Sequence, residues 1–168
     1  SIGINSVSSE VYNKKYLVFG CGNTLFGNDG FGPETVYKIQ RLNRLSSNVL
    51  VLDAGTGIRD LMFDLLLMET LPKRLLVIDA VTVPDRRHGE VFTIDVAKVP
   101  KEKLADFSLH QCPSSNLLGQ LAQRGTRVEV IAMNTKTIPD QIRPGLCPKA
   151  LEAVDKAAAL VIEKLKAV

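Results

Sequence analysis

The chain has 168 residues, of which 45% are hydrophobic, enough for one domain that buries roughly 70% of its unfolded surface. Its 21 basic and 18 acidic residues leave a net charge of only +3, and aromatic residues that stack on bases are few, so the composition argues against a nucleic-acid partner. No segment reaches the roughly 20 apolar residues that span a bilayer, and residues 1–14 lack the apolar core of a secretory signal. We therefore expect a single cytoplasmic domain over residues 1–168 without membrane insertion, and a frayed segment over residues 1–14.

The cysteines favour reduced thiols. Cys21, Cys112 and Cys147 are odd in number and far apart in the sequence. Neither a disulfide framework nor a CxxC zinc site has this spacing.

Strand-like runs alternate with amphipathic stretches along the chain, which is typical of an α/β fold. The predicted strands cover residues 16–21, 49–53, 75–80, 90–95 and 127–133. Most are continuous Val/Ile/Leu runs, as expected for strands covered on both faces. The run at 90–95 alternates instead, which predicts an edge or antiparallel strand.

Helices are predicted between these strands, over residues 33–45, 58–70, 114–123 and from about residue 148 onward. Pro33 suits a first helical turn, because its missing N–H would have no intrahelical partner there. In the last helix, Leu151, Val154, Val161 and Leu165 have helical spacing and predict the buried face.

A glycine-rich loop follows the first strand in LVFGCGNTLFGNDGFG, residues 17–32. Its glycines permit tight turns and close approach of the backbone, and the loop delivers Asp29 to the start of a helix. The dinucleotide fingerprint needs a third glycine where Leu25 stands, which argues against a nicotinamide or flavin site. The pattern indicates a binding loop of another kind.

Three acidic residues follow strand-like runs: Asp29, Asp53 in VLDAGTG and Asp79 in LLVIDAV. Parallel sheets place ligands at the carboxyl ends of their strands, so these acids are candidates for one shared crevice. A buried carboxylate costs several kcal/mol unless it is neutralised, hydrogen-bonded or bound to a metal. Asp53 equally suits a structural role in capping a turn, whereas Asp79 ends the most apolar run.

The chain has two histidines. His88 lies in the charged turn PDRRHG, where we expect solvent exposure. His110, in SLHQCP, precedes a helix and suits either a local hydrogen bond or a metal ligand. Two carboxylates and one imidazole form a donor set for a borderline divalent metal. A rival hypothesis makes Cys21 a nucleophile with His110 as its base, although a small buried cysteine is the commoner use of such a position.

Several motifs, in order, resemble those of the hydrogenase maturation endopeptidases over nearly the whole chain. They are GCGNTLFGNDGFG, LDAGTG, IDAV, LHQ and IPDQIRPGLCPKALEAV. The resemblance implies a three-layer α/β fold with a mostly parallel, five-stranded twisted sheet, one antiparallel strand, and helices on both faces.

The resemblance also implies an activity. These endopeptidases remove a short C-terminal peptide from the nickel-loaded precursor of a nickel-iron hydrogenase large subunit. By position, Asp29, Asp79 and His110 correspond to the family's metal ligands and catalytic residues. The nickel is supplied by the substrate, and another divalent metal can take the site in isolation. Whether the metal takes part in cleavage or only in recognition, with Asp29 or Asp79 as general base, stays open.

This chain departs from the family pattern at two positions. Asn28 stands where many members carry a second acid, and Cys112 makes an unusual continuation after HisGln. The segments IPDQIRPG and VTVPDRRHG resemble those of members that serve the deazaflavin-reducing hydrogenases of methanogens.

Two other functions remain open at this point. A nickel-sensing chaperone of the large subunit would use the same three ligands without cutting. A peptidyl-tRNA-hydrolase-like esterase shares a glycine-asparagine pair after its first strand, but its catalytic histidine follows that loop closely, whereas the first histidine here is His88.

Overall fold

The computed structural model describes residues 13–104, 108–109 and 115–168. The strands in these ranges are β1 (Tyr16–Cys21), β2 (Val49–Gly55), β3 (Arg74–Thr82), β4 (Val91–Asp95), β5 (Ser108–Leu109) and β6 (Arg127–Asn134). The helices are α1 (Phe31–Leu42), α2 (Ile58–Leu66), the single turn α3 (Lys101–Leu104), α4 (Ser115–Gln123) and α5 (Pro148–Leu165). The expectation of a frayed start falls almost entirely on residues 1–12, outside the described residues.

The sheet confirms the predicted fold class. Its five longer strands lie in the order β2-β1-β3-β6-β4. The first three pairings along this order are parallel, and β4 lies at the edge, antiparallel to β6, as its alternating sequence predicted. The sequence did not predict β5, whose two residues pair antiparallel with the end of β3.

Helices cover both faces of the sheet, so β3 is buried on both sides. Leu75 and Val77 of β3 belong to a core that includes α2 and α4. Leu76 and Ile78 belong to a second core, with α1 and α5. All four side chains are fully buried, which is why the strand reads as a continuous apolar run.

The helix boundaries differ from the predictions at three ends. Helix α1 begins at Phe31, two residues before Pro33, and ends at Leu42 because Asn43 turns left-handed, with φ 49°. Helix α2 ends at Leu66, well short of residue 70. The Arg124 guanidinium donates to the carbonyl oxygens of Leu66 and Met68 and so caps that end of the helix.

The buried face of α5 is centred on alanines. Ala150, Ala153, Ala157 and Ala158 are at most 1% exposed, and their small side chains let α5 pack closely on α1 and the sheet. The prediction that Leu151 belongs to this face is wrong, because its side chain is 57% exposed. Val154, Val161 and Leu165 are buried as predicted.

A buried ion-pair network joins α5 to the amino ends of β3 and β6. Glu129 is 2% exposed. Its Oε1 accepts hydrogen bonds from Arg74 Nε at 3.0 Å and Nη2 at 2.5 Å, and its Oε2 accepts one from Lys164 Nζ at 2.8 Å. Burial acts to raise the pKa of Glu129, but the hydrogen bonds and charges of Lys164 and Arg74 outweigh it, so the pKa is lowered.

Glu129→Gln should destabilise the protein by about 3 kcal/mol at neutral pH, because it leaves the largely buried cations of Arg74 and Lys164 without their shared carboxylate. The folded pKa is lowered, so this stabilisation is complete above the unfolded value near 4.5 and is lost as the pH falls through the folded value. Urea unfolding of both proteins at about pH 7 and about pH 3.5 should show the difference shrinking in acid.

Glu163→Gln is the matched control, since Glu163 pairs with Lys166 while both side chains are more than half exposed. It should cost less than about 0.5 kcal/mol. If the two substitutions cost the same, the buried network contributes nothing to stability.

Candidate functional site

The glycine-rich loop closes on itself to hold Asp29. This residue lies in a 3-10 turn, Gly27–Gly30, and is 1% exposed. The Asn23 backbone N–H donates to Asp29 Oδ2 at 3.0 Å. At Gly22, φ is 133° and an added Cβ would lie 1.9 Å from the Asp29 carbonyl oxygen. Only glycine therefore permits this return of the loop.

Asp79 occupies the sixth position of β3, fully buried and opposite Ala132 of β6. The 3-10 turn that carries Asp29 packs against β3. Asp79 directly follows Ile78, the last residue of β3 that pairs with β1, and Asp29 lies on the 3-10 turn in the segment that follows β1. The sharing of one crevice by these acids stays a prediction.

His110 lies outside the described residues, as does Cys112. The described residue before it, Leu109, pairs with Val81 of β3, two positions beyond Asp79. Cys21 is fully buried in the core on the α2 and α4 side. Such a thiol is shielded from a substrate, which favours the structural interpretation of this cysteine.

Asp53 has the structural role that the sequence allowed. Its Oδ1 accepts the Gly55 N–H at 2.9 Å and fixes the end of β2, where Gly55 has a φ of 53°. Its Oδ2 accepts the Tyr37 hydroxyl at 2.5 Å and ties β2 to α1. The hydrogen bond to this carboxylate, together with burial and nearby negative charge, raises the pKa of Tyr37 to about 12.

A polar cluster beside Asp29 was missed by sequence reasoning. Asn28 is 8% exposed and contacts Cys147 and Thr135, which lie 119 and 107 residues away in the chain. Its Oδ1 accepts the Cys147 N–H at 3.0 Å, and its Nδ2 donates to Thr135 Oγ1 at 3.2 Å and to Cys147 Sγ at 3.3 Å. Its position next to Asp29 was the one signal in the sequence.

His88 belongs to the same cluster. Its Nε2 lies 3.5 Å from Cys147 Sγ, and its Nδ1 accepts the Lys136 N–H at 3.3 Å. The expectation of an exposed side chain is wrong, because His88 is half-buried. The cause is a contact between distant segments. Asn134 donates hydrogen bonds to the carbonyl oxygens of Arg86 and Arg87, which hold the turn that carries His88 against the end of β6.

The IPDQIRPG segment forms a wall beside the loop. Gly27 N–H donates to the Arg143 carbonyl oxygen at 2.7 Å, and Arg143 N–H donates to the Leu25 carbonyl oxygen at 2.8 Å. Leu25 and Ile142 remain 46% and 69% exposed. The backbone of this segment thus fixes the position of the loop while two apolar side chains face solvent.

The described side chains do not by themselves form a complete metal site. Among residues 13–104, 108–109 and 115–168, no three His, Cys, Asp or Glu side chains form a metal-binding group. Asp29 and Asp79 supply two buried carboxylates, so a metal held there needs a further ligand. In the described part of the chain, no helix is both long and apolar enough to cross a membrane.

Comparison with known proteins agrees with the fold. The hydrogenase maturation protease family model matches residues 33–164. A candidate hydrogenase maturation protease of Methanocaldococcus jannaschii is 38% identical over 91% of this chain and 97% of that protein. The protein named coenzyme F420 hydrogenase subunit delta of Methanothermobacter thermautotrophicus is 31% identical over 92% of this chain and 96% of that protein.

Solved structures show the same architecture. The NiFe hydrogenase maturation protease HybD of Thermococcus kodakarensis superposes with a TM-score of 0.68 at 22% identity, covering 90% of this chain and 99% of that chain. The hydrogenase maturating endopeptidase HybD of Escherichia coli gives 0.66 at 21% identity, covering 90% and 92%. With a family model that matches most of its length and two relatives more than 30% identical, this chain belongs to the hydrogenase maturation proteases, a family of peptidases.

Proposed function

We propose that this peptidase removes a short C-terminal peptide from the nickel-loaded precursor of a nickel-iron hydrogenase large subunit, in the cytoplasm. Asp29, Asp79 and His110 bind the substrate's nickel during this step. The observation that carries the proposal is the burial of two carboxylates, Asp79 on β3 and Asp29 on a 3-10 turn that packs against β3. Family membership and fold support the peptidase activity.

The donor chemistry fits such a metal. Burial of a carboxylate is costly unless a hydrogen bond, a proton or a cation compensates it, and two carboxylates with an imidazole suit a borderline divalent ion. Leu109, the residue before His110, pairs with Val81 of β3. The chain therefore reaches β3 two residues beyond Asp79. This contact supports His110 as the third ligand.

The chain's own groups have defined tasks in this proposal. The Asn23 N–H orients the Asp29 carboxylate through Oδ2. When bound, nickel would polarise the scissile carbonyl or acidify a water. Alternatively, Asp29 or Asp79 accepts the proton of the attacking water, and the metal serves recognition.

A coenzyme F420 hydrogenase is the substrate class that we favour. The relative from Methanothermobacter thermautotrophicus is named for that enzyme. The IPDQIRPG segment, which resembles members serving deazaflavin-reducing hydrogenases, builds the wall beside the Asp29 loop.

The proposal is tested by the intact mass of a nickel-loaded large-subunit precursor before and after incubation with the chain. We expect the loss of one discrete C-terminal peptide. A nickel-free precursor and the His110→Ala variant should both leave the mass unchanged. Binding of the nickel-loaded precursor with no mass loss would contradict cleavage and indicate a chaperone instead.

A further inference from the structure

We propose that Asn28 is a positioning residue, whose side-chain amide holds Asp29 in a fixed position relative to Asp79 in the candidate site. The inference rests on the proposed function, because it assigns Asn28 a task in the site formed by those two carboxylates. It follows from a continuous path of hydrogen bonds between the 3-10 turn and β3.

The first step of this path is the fixed orientation of the Asn28 amide. Its Oδ1 accepts the backbone N–H of Cys147 at 3.0 Å. The oxygen must therefore face Cys147, and Nδ2 is directed at Thr135 Oγ1 and Cys147 Sγ, at 3.2 and 3.3 Å. Asn28 is only 8% exposed, so water cannot readily replace these contacts.

The second step joins Thr135 to the strand that carries Asp79. Thr135 N–H donates to the Val81 carbonyl oxygen at 2.9 Å, and the Thr82 hydroxyl donates to the Thr135 carbonyl oxygen at 3.0 Å. Thr135 is fully buried. Its hydroxyl therefore provides a fixed point, attached to β3 two residues beyond Asp79.

Two further hydrogen bonds of the 3-10 turn lead to other parts of the molecule. Asn23 belongs to the loop itself, and Arg143 belongs to the IPDQIRPG wall. The Asn28 side chain provides a hydrogen-bonded link from the turn toward β6 and β3. The amide of Asn28 is uncharged. An aspartate at this position would place a further carboxylate beside Asp29 and would lose both hydrogen bonds that the amide nitrogen donates.

The test compares Asn28→Ala and Thr135→Val, which break the link from either end, with Thr135→Ser, which keeps the hydroxyl. In the two breaking variants we expect kcat for precursor processing to fall roughly 10- to 100-fold. KM should change less than about twofold, because both side chains are buried away from the protein surface. Thr135→Ser should retain activity. The double variant should lose no more than the worse single variant, because both remove one link.

A second readout does not depend on activity. The Asn23 amide donates to Asp29 Oδ2, so its hydrogen exchange reports whether that carboxylate stays in place. Exchange at Asn23 should accelerate roughly tenfold in Asn28→Ala and Thr135→Val but not in Thr135→Ser. Amides of the β3 core such as Val77 should keep their protection. Equal acceleration at Asn23 and Val77 would indicate general destabilisation and overturn the inference.

Cys147→Ala is a further control, since it removes Sγ but keeps the N–H that Asn28 accepts. It should change kcat less than about threefold. If Asp79→Asn abolishes processing while both link-breaking variants match the parent, the positioning inference fails and the proposed function stands. If Asp79→Asn leaves processing intact, Asp79 does not belong to the site and the inference about Asn28 fails with it. If the parent chain leaves the nickel-loaded precursor uncut, the proposed function itself fails.

Discussion

Asp79→Asn should reduce kcat/KM for processing of the nickel-loaded precursor by roughly a hundredfold or more. The substitution keeps the shape of a fully buried side chain and removes its negative charge. An amide is a poor replacement for a carboxylate, either as a ligand of a divalent cation or as a general base. The rate is measured from the intact mass of the precursor over time, with circular dichroism as the check that the variant is folded.

Asp155→Asn is the matched control for this substitution. Asp155 lies in α5, 69% exposed, in an ion pair with Lys38 at 3.5 Å. Its loss should leave processing unchanged. A folded Asp79→Asn variant that cleaves as fast as the Asp155→Asn variant would remove Asp79 from the site.

Gly32→Ala should have the largest effect on stability, at least about 4 kcal/mol, or should prevent folding. An added Cβ would lie 2.2 Å from the Cys21 carbonyl oxygen, 2.5 Å from the Ile78 carbonyl oxygen and 2.6 Å from the Cys21 nitrogen. All three are backbone atoms, so no side chain can turn aside to relieve the overlap. Helix α1 would have to move away from the end of β1 and the middle of β3. Urea unfolding, or the soluble yield if the variant does not fold, measures this effect.

Gly119→Ala tests the same change where space is available. Gly119 lies inside α4, and no atom lies within 4 Å of its added Cβ. Alanine should stabilise the helix by about 0.5–1 kcal/mol. Similar costs for the two substitutions would mean that the close approach at Gly32 is not what holds α1 in place.

Local sequence patterns predicted most of the fold and two of the proposed ligands. The apolar run of β3 follows from burial on both faces, and the alternation at 90–95 identified β4 as an edge strand. Asp29 and Asp79 were recognisable because a carboxylate after an apolar strand is unusual. Each of these features leaves its mark within a few neighbouring residues.

The parts that sequence reasoning missed depend on contacts between distant segments. The two residues of β5 are too few to show a period. In α5 the alanines lie inside and Leu151 outside because α1 packs closely there, which hydrophobicity alone does not reveal. Asn28, Cys147 and His88 meet across separations of 119 and 59 residues. No local pattern marks such a meeting.

The Glu129 network includes Arg74 at the amino end of β3, whereas Asp79 lies further along the same strand. Arg74 and Asp79 are the first and sixth residues of β3, so they stand roughly 17 Å apart at about 3.3 Å per residue. For charges exposed to solvent at physiological ionic strength, such a separation exceeds the Debye length of about 8 Å. Surface charges around the amino end can therefore vary between lineages, or be engineered for heat resistance, without retuning the electrostatic potential at the candidate site.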